Sequence, residues 1–304
     1  MRSEIIHNKD IDRTVWDAFI YSSISGSIFN LGWYLDIVFP QWQALIVTDE
    51  YDWVAVLPLF PRKKMGFNIS LQPLLVRYSG VSRNEPAFTR EKLNTVIDEA
   101  LSEFSVCHFT SLVDFLPETE QKKKITYKLD ISTGYDQIFG GFKKSLRNKI
   151  HHFKNHGFSI TEDKTASAIT HLFHHYDEIG KFKVPKDYCE KLELLYAVAQ
   201  QKKMARIVSV RNADMEVVAS ILYYYFRDTV YLFSGLINKN YNVPGIKPYL
   251  LSLEIKNDSG KYKKLDFLGS LIPGVAKFNE SFGAIPHSYS EVIKKKFPLN
   301  ILPI

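Results

Sequence analysis

Hydrophobic positions along the chain change period several times, and each change marks an element. Over residues 10–21, Ile11, Val15 and Phe19 recur every fourth position, which predicts a helix. Leu31, Leu35 and Val38 carry the same period through residues 29–39. Two apolar runs follow, residues 43–48 and 53–60, around the polar turn Asp49-Glu50-Tyr51-Asp52, and they predict a pair of strands. Residues 89–104 read as a helix and 106–111 as a short strand. Residues 116–124, with three consecutive lysines, have no period at all and predict a linker. The chain therefore divides into residues 1–124 and 125–304.

The second part opens with a helix over residues 136–156, ended at Gly157 as a left-handed cap. Helices over 165–181 and 186–202 follow. Then the pattern turns strand-like at 205–210, 217–225 and 229–234, passes through a polar loop ending at Pro244-Gly245-Ile246, and becomes helical. A further strand is predicted over 264–268, before Lys277-Phe-Asn-Glu-Ser-Phe-Gly-Ala284. A helix that starts straight after a glycine loop presents unpaired backbone N–H groups, which suit an anion. The run Ala44-Leu-Ile-Val-Thr48, turn, Val54-Ala-Val-Leu57 is echoed by Ala205-Arg-Ile-Val-Ser209, turn, Val218-Ala-Ser-Ile-Leu222. That echo, about half the chain apart, predicts two copies of one fold, although any strand–turn–strand unit looks similar.

Composition refines this picture only slightly. Of the 304 residues 45% are apolar and 24% charged, an ordinary globular balance with enough chain for two cores. A net charge of +6 suits an anionic partner without requiring one. The two cysteines, Cys107 and Cys189, form no metal or redox spacing, so a reducing, cytoplasmic setting is expected. No leader-like segment opens the chain, and no apolar run approaches the ~18 residues of a membrane span.

Several residues stand out chemically. Phe142, Leu146, Ile150 and Phe153 form one helical stripe, with Lys143, Arg147, His151 and Lys154 one position on. This places a cationic ridge beside a buried seam, either for a phosphate or carboxylate or as a plain solvated face. The pairs His152/His156 and His171/His175 have chelating spacing but no accompanying carboxylate signature, and no metal is expected. Asp266, in the predicted strand, either meets an amine or water or caps the turn that follows. There is no GxSxG, Walker or GxGxxG motif.

The ordered set Leu57-Pro-Leu59, Arg77-Tyr-Ser-Gly80, Leu146-Arg-Asn-Lys149 with Asn155-His-Gly157, Asp266-Phe-Leu-Gly-Ser270 and Lys277-Phe-Asn-Glu-Ser-Phe-Gly-Ala284 resembles the FemAB-type branch of the GNAT acyltransferases. The likeness covers roughly residues 25–290. It implies an α/β fold of two tandem GNAT-like halves, each a mixed sheet flanked by helices. The implied activity is N-acyl or aminoacyl transfer by direct attack of an acceptor amine, with acyl-CoA or aminoacyl-tRNA as co-substrate and no tightly bound cofactor. The acceptor class is a small or cell-envelope precursor amine. Long helical arms typical of tRNA-dependent relatives are absent from the predicted elements.

The resemblance assigns Lys277 to the oxyanion and Asp266 to the catalytic centre, with a solvated lysine and a turn cap as the alternatives. It assigns the donor to Ser234, Gly235, Asn242, Gly245, Ile246, Lys247 and Tyr249. Tyr78, Gly80 and Arg147 are assigned to the acceptor, between the halves. The loop departs from the usual glycine spacing of GNAT enzymes, and Pro244 removes one amide donor. A degenerate transferase that only binds its ligand or partner is the alternative.

Overall fold

A computed structural model describes residues 1–84, 90–112, 121–153, 157–178, 183–241, 244–269 and 272–296. The chain forms two compact units, Met1–Lys124 with Ser288–Ile304, and Ile125–His287. Among the described residues, no helix is long and apolar enough to cross a membrane.

The first unit starts with β1 (Arg2–His7), α1 (Arg13–Ser22) and α2 (Gly32–Val38). Asp12 starts α1 by accepting the Thr14 and Val15 amides, satisfying two donors that the first helical turn leaves open. β2 (Gln43–Asp49), β3 (Asp52–Leu59), β4 (Pro61–Lys64), β5 (Phe67–Leu71), β6 (Ser82–Arg83), α3 (Arg90–Leu101) and β7 (Val106–Ser111) follow. One sheet runs β1-β2-β3-β6, all antiparallel. β4 pairs antiparallel with β5, which runs parallel to β7. Leu45, Leu57, Leu59, Leu93, Ile97 and Phe109 meet in the core between sheet and α3.

The last four residues of the expected linker over 116–124 belong to a strand. Residues 113–120 lie outside the described set, and Gln121–Lys124 open β8 (Gln121–Asp130). Lys122 and Lys123 are exposed, and the largely buried Lys124 is paired with Glu291 at 2.9 Å.

The second unit continues with α4 (Tyr135–Gly140), α5 (Lys144–Phe153), β9 (Ser159–Asp163), α6 (Ser167–Glu178) and α7 (Tyr188–Gln201). The single helix expected over 136–156 is broken at Gly140-Gly141, the two residues in that stretch least suited to a helix interior. Residues 154–156 lie outside the described set, and Gly157 is left-handed, φ 67°. β10 (Ala205–Arg211), β11 (Val217–Phe226), β12 (Thr229–Ile237), α8 (Ile246–Asp258), β13 (Lys264–Asp266), α9 (Pro273–Ser281) and β14 (Ile285–Lys295) complete the chain. The sheet order in this unit is β8-β13-β12-β11-β10-β9, with β12 and β13 parallel and the other pairs antiparallel.

Both echoed segments are antiparallel hairpins, β2–β3 and β10–β11. The expected stripe on α5 is buried in full: Phe142, Leu146, Ile150 and Phe153 pack with Leu250, Leu251 and Ile255 of α8 over Val230, Leu232 and Leu265. The expected strand over 264–268 ends early, at Asp266. Leu268 (φ 55°) and Gly269 (φ 89°) turn the chain away, and Ser270 lies outside the described set. The sequence reading also kept everything after residue 124 together. From Ser290 to Lys295, β14 pairs antiparallel with β7, so the chain from Ser288 belongs with the first unit.

Candidate functional site

β12 runs beside β13 from Thr229 to Tyr231, then continues to Ile237 with no further strand on that side among the described residues. Pairing with β11 also shifts here. Leu222 faces Ser234 while Tyr223 faces Leu232, so Phe233 is an extra residue, a bulge that re-aims the strand. Side chains before this point are buried, and those of Ser234–Ile237 are half-buried. The sheet therefore opens where its two parallel strands part.

α8 begins beside this opening. Gly245 precedes it with φ 91°, and a Cβ there would stand 2.6 Å from the Lys149 carbonyl oxygen of α5. Only glycine satisfies both conditions. The first intrahelical bond runs from the Tyr249 amide to the Gly245 carbonyl. Ile246 and Lys247 therefore hold first-turn amides without helical acceptors, and Pro248 has no amide to offer. Tyr249 stacks against Phe153, 4.8 Å between ring centres.

Lys247 is the charged group at the opening. Its Nζ donates to the Gly235 carbonyl at 3.1 Å and lies 5.5 Å from the Phe278 ring centre. Burial pushes its pKa below the usual lysine value, and the Lys239 charge adds to this. Gly235 leaves room for it, since a Cβ would sit 3.1 Å from Lys247 Cε.

The donor residues expected from sequence thus fall into two places that meet. Ser234 and Gly235 lie on the bulged end of β12, and Gly245, Ile246, Lys247 and Tyr249 lie at the start of α8. Ile246 is wholly buried and contributes packing. Asn242 lies outside the described residues. Lys149 and Phe278 complete the neighbourhood, and sequence reasoning missed both. Lys149 acts through its backbone, which carries no sequence signal. Phe278 was visible only as the neighbour of Lys277.

Of the two expected catalytic residues, Asp266 is buried (1% exposed) and fully employed. Its Oδ1 accepts from Thr126 Oγ1 at 2.6 Å and from the Leu268 amide at 2.8 Å, while Thr126 Oγ1 accepts the Gly269 amide at 2.8 Å. Lys128 Nζ stands 4.0 Å from its other oxygen. Burial lowers the pKa of Lys128 and the Asp266 charge opposes that. Asp266 thus caps the turn after β13, the second of the two roles open to it. Lys277 projects from α9 with its side chain exposed, while Phe278 turns inward. The ammonium held against β12 is that of Lys247.

Arg147 lies on the outer side of α5, with Nη1 donating to the Gly140 carbonyl at 3.0 Å. It braces the break between α4 and α5, and Lys143 and His151 flank it on the exposed ridge. In the first unit, Tyr78 and Gly80 are both buried. Tyr78 packs edge-on against Phe29 and Tyr289. A Cβ on Gly80 would stand 2.4 Å from Ser111 Cβ, so this glycine permits close packing of the loop on β7. The structure gives both residues packing roles. His156 lies outside the described residues. Among the described residues, no three His, Cys, Asp or Glu side chains come together as a metal site.

No protein-family profile and no curated protein sequence matches the chain. Solved structures do. The crystal structure of FemX is similar with a TM-score of 0.69 at 13% identity, over 94% of this chain and 96% of that one. L-PGS from Bacillus licheniformis gives 0.55 at 14% identity, over 95% and 94%. A tandem GNAT protein from the clavulanic acid biosynthesis pathway gives 0.53 at 10% identity, over 96% and 97%. The chain has the FemAB-type tandem GNAT fold.

Proposed function

We propose that this protein is an N-acyl or aminoacyl transferase that takes its donor at the opening between β12 and β13. The observation that carries the reading is the parting of β12 from β13 past Tyr231, with the bulge at Phe233 and the start of α8 beside it. An unpaired strand edge offers backbone donors and acceptors to an amide-bearing chain. The first-turn amides of Ile246 and Lys247, which have no acceptor within the helix, offer charge-complementary donors to a phosphate. These features suit an acyl-CoA, and an aminoacyl-tRNA is the other donor class.

Transfer is by direct attack of the acceptor amine on the donor carbonyl. The amine nitrogen bonds to the carbonyl carbon, the thiolate or alkoxide leaves, and the ammonium proton passes to solvent or to the leaving group. Lys247, beside β12, is placed to stabilise negative charge on the donor. Lys277, exposed on α9, is the oxyanion partner that the resemblance names, and Lys247 is the one that lies beside β12. Arg147 and its ridge supply a cationic border for an acceptor carrying phosphate or carboxylate. A cytoplasmic setting accords with a CoA or tRNA donor.

The test is thermal unfolding with CoA, acetyl-CoA, a long-chain acyl-CoA and aminoacyl-tRNA, in the wild type and in Lys247→Met. A ligand at a hundredfold excess over its Kd raises stability by about 2.7 kcal/mol. A shift with one thioester that is lost in the variant supports the reading. The absence of any shift favours a second reading, a binding module without turnover. Pro244 and Pro248 favour that second reading, because they leave the loop short of two amides.

A further inference from the structure

A second candidate site lies at the far end of α8, some eleven residues or about 16 Å from Lys247 along the helix. There, a groove of about 550 Å³ is lined by Glu162, Gln200, Arg206, Tyr225, Asp258 and Tyr262. Its floor is acidic. Asp258 is 7% exposed and Glu254, beneath it, 2%. Arg206 is drawn off to other carboxylates, its Nε to Glu162 at 3.0 Å and Nη1 to Glu254 at 3.1 Å. Asp258 accepts only the Tyr225 hydroxyl at 3.3 Å among the described side chains, and no cation pairs with it.

A further observation points the same way. The Tyr223 hydroxyl is wholly buried and has no hydrogen-bond partner among the described residues. It borders, with Glu254 and Asp258, a small void that shares Asp258 with the groove. A buried polar group without a partner is costly, and beside the Tyr223 hydroxyl the two buried carboxyls of Glu254 and Asp258 have one arginine near them, paired with Glu254, which leaves the cluster short of positive charge. The Tyr225 and Tyr262 rings stand 5.2 Å apart over Asp258 and form an aromatic wall, the surface that favours an organic cation. At the rim, Lys164, Lys203 and Lys261 are exposed and cationic.

We propose that this groove binds a small zwitterion of the α-amino-acid class, with its ammonium at Asp258 against the wall formed by Tyr225 and Tyr262 and its carboxylate toward the rim lysines. The ammonium supplies the donor that the acidic floor lacks, and the rim supplies the complementary charge. This site does not depend on the donor reading above.

The test uses three matched probes on the full chain: L-norvaline, n-butylamine, which lacks the carboxylate, and pentanoate, which lacks the ammonium. Binding is read by NMR titration of isotope-labelled tyrosine rings. Norvaline is expected to shift the Tyr225 and Tyr262 signals, butylamine to do so several-fold more weakly, and pentanoate not at all. Asp258→Asn should weaken norvaline at least tenfold. Tyr262→Leu, at the half-exposed wall, should weaken it several-fold and serves if the first variant fails to fold.

Binding should also tighten between pH 5 and pH 8. Burial raises the Asp258 pKa to about 6, with Tyr225, Arg206 and Lys261 opposing. Glu162, Glu254, Tyr223 and Tyr262 also face it. Pentanoate binding as well as norvaline, an unchanged affinity in both variants, or no response to norvaline at 50 mM would each overturn the proposal. Butylamine matching norvaline would overturn the carboxylate half of it.

Discussion

At the residue scale, Gly245 and Lys247 are the two positions where chemistry and architecture meet, and they respond differently to substitution. Gly245→Ala forces a left-handed backbone on a residue with a Cβ and drives that Cβ toward the Lys149 carbonyl. The expected loss is about 2–4 kcal/mol of unfolding free energy in urea, because the clash is with backbone and cannot be relieved by a rotamer. Lys247→Met should go the other way. The lysine is buried beside a carbonyl and a ring, with no carboxylate paired to it among the described residues. Removing its charge removes a desolvation cost, so stability at pH 7 should hold or rise by about 1 kcal/mol. A site that is more stable without its functional group is what a stability–function compromise looks like. If Lys247→Met instead loses several kcal/mol, the lysine is there for the fold. Asp266 offers the contrast. Asp266→Ala strips an acceptor from Thr126 and Leu268 and leaves Lys128 without its carboxylate, so it should cost about 2–3 kcal/mol. A fall in stability that accounts for any loss of activity would mark it as the turn anchor.

At the element scale, the break between α4 and α5 makes a prediction of its own. A Cβ at Gly140 would meet nothing within 4 Å, and Gly140 ends α4 without a positive φ. Gly140→Ala should therefore stabilise by about 0.4–1 kcal/mol, chiefly by restricting the unfolded chain, and a urea midpoint that falls instead would show that the break needs glycine freedom. The same break shows where the sequence could and could not be read. The stripe Phe142, Leu146, Ile150, Phe153 was legible because packing and period agree. The interruption at Gly140-Gly141 was overrun because the period resumes in phase. Amphipathic helices and strongly apolar strands were visible. β8, β9 and the β4–β5 hairpin were not, because their exposed lysines, threonines and serines carry no alternation that separates them from loop. β14 is held by its ladder with β7, a pairing between residues some 180 apart that leaves no local trace. At the site, Gly245 and the start of α8 could be predicted from a glycine before a helical period. The bulge at Phe233 and the inward turn of Lys247 could not, since both follow from where a neighbouring strand stops.

At the scale of the whole molecule, the buried acids on α8 should set an unusual pH profile of stability. Glu254 rises from 4.5 to about 7 on folding, mainly through burial, with Arg206 pulling it down and Asp258 pushing it up. Asp258 rises from 3.8 to about 6. A carboxyl whose folded pKa is raised binds more protons folded than unfolded, so stability is present below the unfolded pKa and is lost as pH rises through the folded one. For these two groups, the loss runs from about pH 4 to pH 7. Other groups work in opposition, but elsewhere. Asp130, Glu216, Asp228 and Glu291 have lowered folded pKa values, so their stabilisation is lost as pH falls below the ordinary carboxylate range. His287, lowered from 6.5, favours the fold as pH rises toward 6.5, a single proton against two. The sum is a stability maximum near pH 5, with a decline toward pH 7.5 on the order of 2 kcal/mol. Urea unfolding at half-unit pH steps measures it directly. Glu254→Gln keeps the shape and removes the larger of the two shifts, so it should flatten the decline and leave the acid limb in place. A profile that is already flat in the wild type would mean that Arg206 fully compensates both acids. The groove above Asp258 would then lack the excess negative charge on which its affinity for an ammonium rests.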